Sequence, residues 1–371
     1  MRITIDARMM GPENTRGIGR YTEELVHALL EIAPEHRYSL IVRKPEHSFV
    51  GNVSVETVVA DIPWYGLREQ RELPSIIART KPDVVHVPHW NVPVSIRQHL
   101  VVTIHDLLLR HEPMSAKIST RSPALQLVKR AGYRLVLSSA LRHAHRILVP
   151  TEFVKQDVES LYPRTSGRVV VTGEGMPSVE SIQESVGRGA DESSPYLLYV
   201  GSAYPHKGLN DVLDAWPKIQ RDFPSLRFKI GGEMDVFMSR HKDRVAKESL
   251  RNIEFLGRVS DKDLPTLHRG AAAFVFPSHF EGFGLPPLEA IARGCPVIAA
   301  DASATVEVLG KSAAIFFRRG DSDAILSAVH RVLESQDEAR QRTRLAAPEL
   351  ARRHSWKHAA ERTLQAYLES R

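Results

Sequence analysis

Two carboxylates, Glu281 and Glu289, flank seven residues, Gly-Phe-Gly-Leu-Pro-Pro-Leu, in the stretch HFEGFGLPPLEAIARG. A strand-like run, AAFVF, ends at Pro277; glycines 282 and 284 make a loop, and Pro286 and Pro287 suit the first helical positions, where a missing N–H costs nothing. Gly294 suits the residue just past the helix end. This spacing predicts Glu289 in the first turn, with the backbone N–H groups of Phe283, Gly284 and Leu285 near the positive end of the helix, an arrangement that takes an anion. A carboxylate beside it can accept from a vicinal diol such as a ribose. For an isolated pair of glutamates the plainer reading is a dipole-complementing acid and a solvated loop acid; the Gly-Phe-Gly-Leu-Pro context favours the binding role.

A second group stands upstream. PHKG, residues 205–208, follows the strand-like run YLLYVGS, so Lys207 projects from the carboxyl end of a parallel strand, where open α/β sheets bind ligands. An ammonium there can neutralise negative charge developing on a departing phosphate group. His206 beside it is expected to be partly protonated near neutrality and to add a pH-dependent charge. Near the N-terminus, Gly17 and Gly19 in RGIGRYTEEL permit close backbone approach, but no third glycine completes the dinucleotide fingerprint and the GPENTRG insertion is too long for it. That excludes an NAD site. The run VVTIHD ends at His105 and Asp106; a lone histidine after an apolar strand is more often structural, and Asp106 is expected to orient the turn.

The elements that must position these residues alternate. RITIDARM, YSLIVRK, DVVHVPH, LVVTIHD and RILVPT read as strands, separated by helical patterns such as GIGRYTEELVHALLEI. Residues 176–195 are polar and rich in Ser, Gly and Glu, a linker or exposed loop. The alternation restarts with YLLYVGS, RFKIGGE, IEFLGR, AAFVFPS, PVIAAD and AAIFFRR. The expected fold class is therefore α/β with parallel sheets: an N-terminal domain over 1–175, a second over 196–350, and a C-terminal helix in 351–371 packing back toward the first. A length of 371 residues suits two domains. Asp261 with Asp263, and Asp321 with Asp323, resemble a metal-binding Asp pair but stand where helix caps are expected, so no metal is expected. Cys295 alone excludes an intrachain disulfide and fits a reducing compartment; with no signal-peptide pattern, the expected location is the cytosol. A formal charge of +6 suggests an anionic partner. No aromatic interleaving or recognition motif supports nucleic-acid binding.

These motifs resemble the glycosyltransferases of family 4, the GT-B fold of two facing Rossmann-like domains with a cleft between them. The resemblance runs through DARMMGPENTRGIGRYTEEL, PDVVHVPHWNVP, VTIHDL, VPTEF, YVGSAYPHKGLNDVLDAW, the Glu-seven-Glu signature and RHSWKHAAERTLQAYLE. It implies a retaining, metal-independent enzyme moving a hexose from a nucleotide diphosphate sugar to an acceptor hydroxyl. Glu289 would hold the donor ribose, Glu281 the sugar hydroxyls, Phe283, Gly284 and Leu285 the sugar and diphosphate, Lys207 the leaving diphosphate, and His105 the donor sugar near its anomeric carbon. The loop with Gly17 and Gly19 would close over diphosphate and acceptor. Relatives usually carry arginine where this chain has His206. GIGRYTEEL and HDL look most like bacterial mannosyltransferase-type members of surface polysaccharide synthesis, which makes GDP-mannose the expected donor, with no other cofactor, and a saccharide or lipid-linked saccharide the expected acceptor. The rival reading is a non-catalytic GT-B protein that binds a nucleotide sugar as a regulator or scaffold. Finally, Lys117, Arg121, Lys129, Arg130, Arg134, Arg142 and Arg146 lie in a stretch, 113–147, without an acid; with Leu125, Val128, Leu135 and Val136 to one side, residues 117–146 predict a basic amphipathic surface suited to peripheral contact with an anionic membrane at the inner face of the plasma membrane.

Overall fold

The computed structural model describes residues 1–11, 17–45, 55–97, 99–112, 123–177 and 195–370. Their packing divides them into two units, Met1–Leu107, Ser119–Gly175 and His354–Arg371 in the first, Leu108–Ile118 and Met176–Arg353 in the second. Most of the polar stretch 176–195 lies outside the described residues.

The first unit is built on seven strands: β1 (Arg2–Asp6), β2 (Arg37–Val42), β3 (Val55–Val59), β4 (Val84–Val87), β5 (Leu100–Thr103), β6 (Arg146–Val149) and β7 (Val169–Val171). They pair in the order β3-β2-β1-β4-β5-β6-β7, all parallel. The central strands are apolar without alternation because helices cover both faces. On one face the helix Ile18–Ile32 buries Tyr21, Leu25, Val26 and Leu29 with Ile3, Ile5 and Leu40, and the helix Trp356–Leu368 adds Ala360, Ala366 and Tyr367 to that cluster. The opposite face packs Leu73 and Ile77 of the helix Leu67–Arg79, Leu137 and Leu141 of the helix Pro123–His143, and Val154 and Val158 of the helix Glu152–Leu161. Each such fully buried side chain contributes about 1.5–3 kcal/mol.

The second unit has six strands: β8 (Tyr196–Val200), β9 (Arg227–Gly231), β10 (Ile253–Gly257), β11 (Ala273–Phe276), β12 (Val297–Ala300) and β13 (Ile315–Phe317). Their order is β10-β9-β8-β11-β12-β13, again all parallel. Trp216, from the helix Leu209–Asp222, is wholly buried against Phe228, and its indole N–H donates to the Arg251 carbonyl at 2.8 Å. Each sheet reverses its strand order once, between β1 and β4 and between β8 and β11. In doubly wound sheets that crevice, at the carboxyl ends of the strands, is where ligands bind.

All eleven strands read from the sequence are present. Two more, β3 and β7, form the edges of the first sheet; VETVV is half exposed and VVV is three residues long, so neither carries the long apolar run that marks a central strand. Of the two Asp pairs, Asp321 caps its helix, accepting from the Asp323 and Ala324 amides at 3.1 and 2.9 Å. Asp263 does not cap with its side chain; its carboxylate takes the Ser260 hydroxyl at 2.6 Å instead.

Candidate functional site

Seven of the residues singled out from the sequence, His206, Lys207, Glu281, Phe283, Gly284, Leu285 and Glu289, lie on the turn after β8 and on the loop and helix after β11 of the second unit. After β8 the chain runs into a 3-10 turn, Pro205–Lys207, closed by Gly208 in the left-handed region at φ 67°. A side chain at 208 would sit 1.9 Å from the Pro277 carbonyl oxygen at the end of β11, so only glycine lets the turn press against that strand. The His279 amide donates to the His206 carbonyl at 2.7 Å, and the His279 ring meets Asp211 at 2.6 Å. The Asp211 carboxylate also accepts the Gly320 amide at 2.9 Å, tying three loops together.

On this frame Lys207 Nζ donates to Glu281 Oε1 at 2.7 Å, with side-chain exposures of 24% and 13%. The Glu281 amide donates to the Ser303 hydroxyl at 2.8 Å, which fixes the loop carrying the carboxylate to the turn after β12. A part-buried ammonium–carboxylate pair of this kind is weak evidence of stabilisation, because desolvation of the two charges offsets much of their attraction.

The helix after this loop spans Leu285–Ala292, with Gly284 as its N-cap at φ 95° and Gly294 in the left-handed region past its end. Leu285 is its first residue, so Pro286 and Pro287 fall at the second and third positions. Glu289 therefore sits in the second turn and not, as the spacing suggested, in the first. The prolines also remove two of the four amide donors a helix start normally offers; Gly284 and Leu285 keep theirs. Glu289 is buried, 6% exposed, and Phe283, in the loop before the helix, is 5% exposed.

His206 departs from expectation. Its ring is buried and stacks on Tyr204, and its Nδ1 has no hydrogen-bond partner among the described residues. Burial, with Lys207 adding to it, pushes its pKa down to about 4. The imidazole is neutral at physiological pH, so it does not replace an arginine as a charge, and the expected titration near neutrality is corrected.

Three other sequence candidates belong to the first unit. His105 follows β5, with Nδ1 3.2 Å from Glu174 Oε1 and Nε2 3.1 Å from the Pro88 carbonyl oxygen. Tyr21 meets its ring edge-on at 4.6 Å. Both ring nitrogens are thus engaged, which fixes the ring's orientation. Gly17 is the N-cap of the helix Ile18–Ile32 at φ 55°, whereas Gly19 is buried inside that helix and not in the preceding loop. Glu174 escaped the sequence reading; its signal, an acid between two glycines in VTGEGM, lies just beyond the overlooked strand β7. The helix Pro123–His143 buries Leu137, Ala140 and Leu141 and leaves Leu127, Val128 and Leu135 at 69%, 66% and 62% exposure beside exposed Lys129, Arg130 and Arg134. Arg146 pairs with Glu369 at 3.1 Å. Lys117, Arg121 and the Leu125 side chain lie outside the described residues.

Two parallel Rossmann-like units with crevices of this kind define the GT-B class. Sequence comparison agrees: the model for "Glycosyltransferase Family 4" matches residues 15–177 and that for "Glycosyl transferases group 1" residues 181–349. The chain belongs to the family 4 glycosyltransferases. Among its relatives, O-antigen chain mannosyltransferase B of Escherichia coli is 26% identical over 95% of each chain. O-antigen chain mannosyltransferase RfbU of Salmonella typhimurium is 26% identical over 78% of this chain and 76% of its own. In fold, sucrose-phosphate synthase from Thermosynechococcus elongatus superposes with a TM-score of 0.76 over 99% of this chain and 98% of its own, at 19% identity.

Proposed function

We propose that this glycosyltransferase moves a hexose, with mannose favoured, from a nucleotide diphosphate sugar to a saccharide or lipid-linked saccharide in cell-surface polysaccharide synthesis, with retention at the anomeric carbon and without a metal. The observation that carries the reading is the Lys207–Glu281 pair at the β8–β11 crevice, with Glu289 buried on the adjoining helix. Lys207 supplies the positive charge that a leaving diphosphate needs. Glu281 accepts from sugar hydroxyls, Glu289 from the ribose diol, and the Phe283, Gly284 and Leu285 amides face sugar and diphosphate. His206 contributes a neutral surface to that site. His105, oriented by Glu174 and Pro88, faces the donor sugar, and the glycines at 17 and 19 allow close backbone approach to the diphosphate and acceptor. The step is front-side displacement: the acceptor oxygen bonds to the anomeric carbon on the face from which the diphosphate oxygen departs, and the hydroxyl proton passes to the leaving diphosphate. The O-antigen mannosyltransferases among the relatives support mannose as the hexose, and GDP-mannose is the donor proposed for it. Release of GDP from GDP-mannose by the purified enzyme, undiminished by a chelator, with an axial product linkage by NMR, is the expected result. No turnover with any nucleotide sugar, or an inverted linkage, would overturn the reading.

The acceptor's lipid carrier is supported by the helix Pro123–His143, whose exposed Leu127, Val128 and Leu135 stand among Lys129, Arg130 and Arg134. Each cation close to an acidic bilayer contributes about 1 kcal/mol, screened by salt. Among the described residues no helix is long and apolar enough to cross a membrane. Sedimentation with acidic vesicles at low salt, lost when Lys129, Arg130 and Arg134 are changed to serine, tests this contact.

A further inference from the structure

Lys207 and Glu281 stand on separate loops, one after β8 and one after β11. His206 is neutral, so Lys207 is the one charge that the turn Pro205–Lys207 carries. Its ammonium hangs on a flexible four-carbon stem and goes where the backbone beneath it leads. Misplacing such a group by about 1 Å costs a reaction on the order of 100-fold in rate. What holds the two loops in register therefore bears on the chemistry.

His279, two residues before Glu281, joins them. Its backbone N–H donates to the His206 carbonyl at 2.7 Å, immediately before Lys207. Its ring reaches Asp211 in the first turn of the helix Leu209–Asp222, with Nε2 2.6 Å from Oδ2. An ionised carboxylate only accepts, so Nε2 carries the hydrogen. The same Asp211 oxygen accepts the Gly320 N–H from the turn after β13 at 2.9 Å, and the Asp211 N–H donates to the Gly208 carbonyl at 3.0 Å. The His279 and Asp211 side chains are 26% and 12% exposed, which shelters their bond from competing water. Gly208 makes room for the ring, since a side chain there would come within 3.2 Å of His279 Cδ2.

Neither His279 nor Asp211 belongs to the Glu-seven-Glu stretch or to the PHKG turn, yet the bonds they make end on the backbone at 206 and 208, on either side of Lys207. Glu281 is anchored separately, through its amide to Ser303. Loss of the ring bond would thus leave Glu281 in place and loosen the turn that carries Lys207. The geometry points to His279, held by Asp211, as a positioning residue that sets Lys207 against Glu281 and thereby governs departure of the diphosphate. The inference rests on the glycosyltransferase reading for the word diphosphate; the placement of Lys207 is independent of it.

The test compares three variants of the purified full chain. His279→Leu removes the ring bond, Asp211→Ala removes it from the other end, and His279→Gln offers an amide N–H at about the reach of Nε2. Acetylation of Lys207 by acetic anhydride, read by mass spectrometry, needs no turnover: His279→Leu and Asp211→Ala should label several-fold faster than wild type, and His279→Gln close to it. With GDP-mannose at saturation, His279→Leu should lower kcat about tenfold while GDP affinity changes by less than about threefold, and His279→Gln should recover most of the loss. In a Lys207→Gln background His279→Leu should slow the enzyme no further, because a residue acting through Lys207 has no effect once the ammonium is gone. Labelling of Lys207 at the wild-type rate in both bond-breaking variants, unchanged kcat in them, or losses that multiply in the double variant each overturn the positioning role and leave the donor reading standing. A chain that turns over no nucleotide sugar removes the glycosyltransferase reading instead, and the labelling then decides the placement of Lys207 alone.

Discussion

Lys207 and Glu289 face the same ligand in the proposed reaction but at different moments, and their removal should separate binding from turnover. Glu289→Ala takes away a buried acceptor of a diol far from the bond being broken, so affinity for the nucleoside diphosphate should fall by about 1–3 kcal/mol, read by calorimetry. Lys207→Gln removes charge that matters most as the diphosphate leaves, so kcat at saturating donor should fall by about 100-fold or more. Equal turnover in that variant would take Lys207 out of the chemistry. For His206 the depressed pKa makes a different forecast: because the ring is neutral above about 4, wild type and His206→Gln should give superimposable rate profiles between about pH 6 and 8, with any divergence confined to more acid solution. A wild-type inflection near 6.5 that the variant loses would show that the ring titrates after all.

At the scale of elements, the turn Pro205–Lys207 depends on one missing methyl group. Gly208→Ala places a carbon against a backbone oxygen and asks a non-glycine residue to hold φ 67°, so the turn must lift from β11 and carry Lys207 away from Glu281. The expected outcome is a stability loss of about 2–4 kcal/mol in denaturant melts with donor affinity lost in step; a variant melting like wild type would show that the close approach is not needed. This element also marks what the sequence made legible. Parallel strands buried on both faces are continuous apolar runs and could be read directly, and so could Lys207, Glu281 and Glu289, which sit in short contiguous motifs at strand and helix ends. The edge strands β3 and β7 lacked that run. Which side chains meet was not legible: Lys207 and Glu281 are brought together by pairing of β8 with β11, and Arg8 with Glu69 by the helix Leu67–Arg79, and no local pattern encodes either. The burial that neutralises His206 is likewise a property of the packed loops, not of the PHKG motif.

Among the described residues of the whole molecule, burial pushes four histidines furthest down and holds them neutral: His86 and His89 in the first unit, with pKa values of about 3, and His206 and His268 in the second, at about 4 and 3; His241 is lowered in the same direction. Unfolded, each would titrate near 6.5. Between those limits the unfolded chain binds protons that the folded chain refuses, so stability rises with pH and is lost as pH falls below about 6.5. Each histidine contributes up to about 1.4 kcal/mol per pH unit, so by pH 5 each unit should lose about 4 kcal/mol from its pair, a large share of the stability of an ordinary domain. Urea midpoints compared at pH 7 and 5 check this, and equal midpoints would contradict it.

The helix Trp356–Leu368 has a consequence for how the protein is made. Its Tyr367 hydroxyl meets His86 of β4 at 2.7 Å, Trp356 lies where any side chain at Gly175 would collide with it, and Ala360, Ala366 and Tyr367 complete the cluster around β1. The first unit is therefore synthesised first but finished last. While residues 176–353 emerge, most of its chain is already outside the ribosome with one apolar face uncovered, and it closes only when residues 354–370 arrive. The second unit, later in the sequence, has all its strands before then. A chain stalled on the ribosome with residues up to about 353 outside the exit tunnel and residues 354–370 still within it should accordingly expose the first unit to protease and chaperone while the second resists, a folding order that reverses the order of translation.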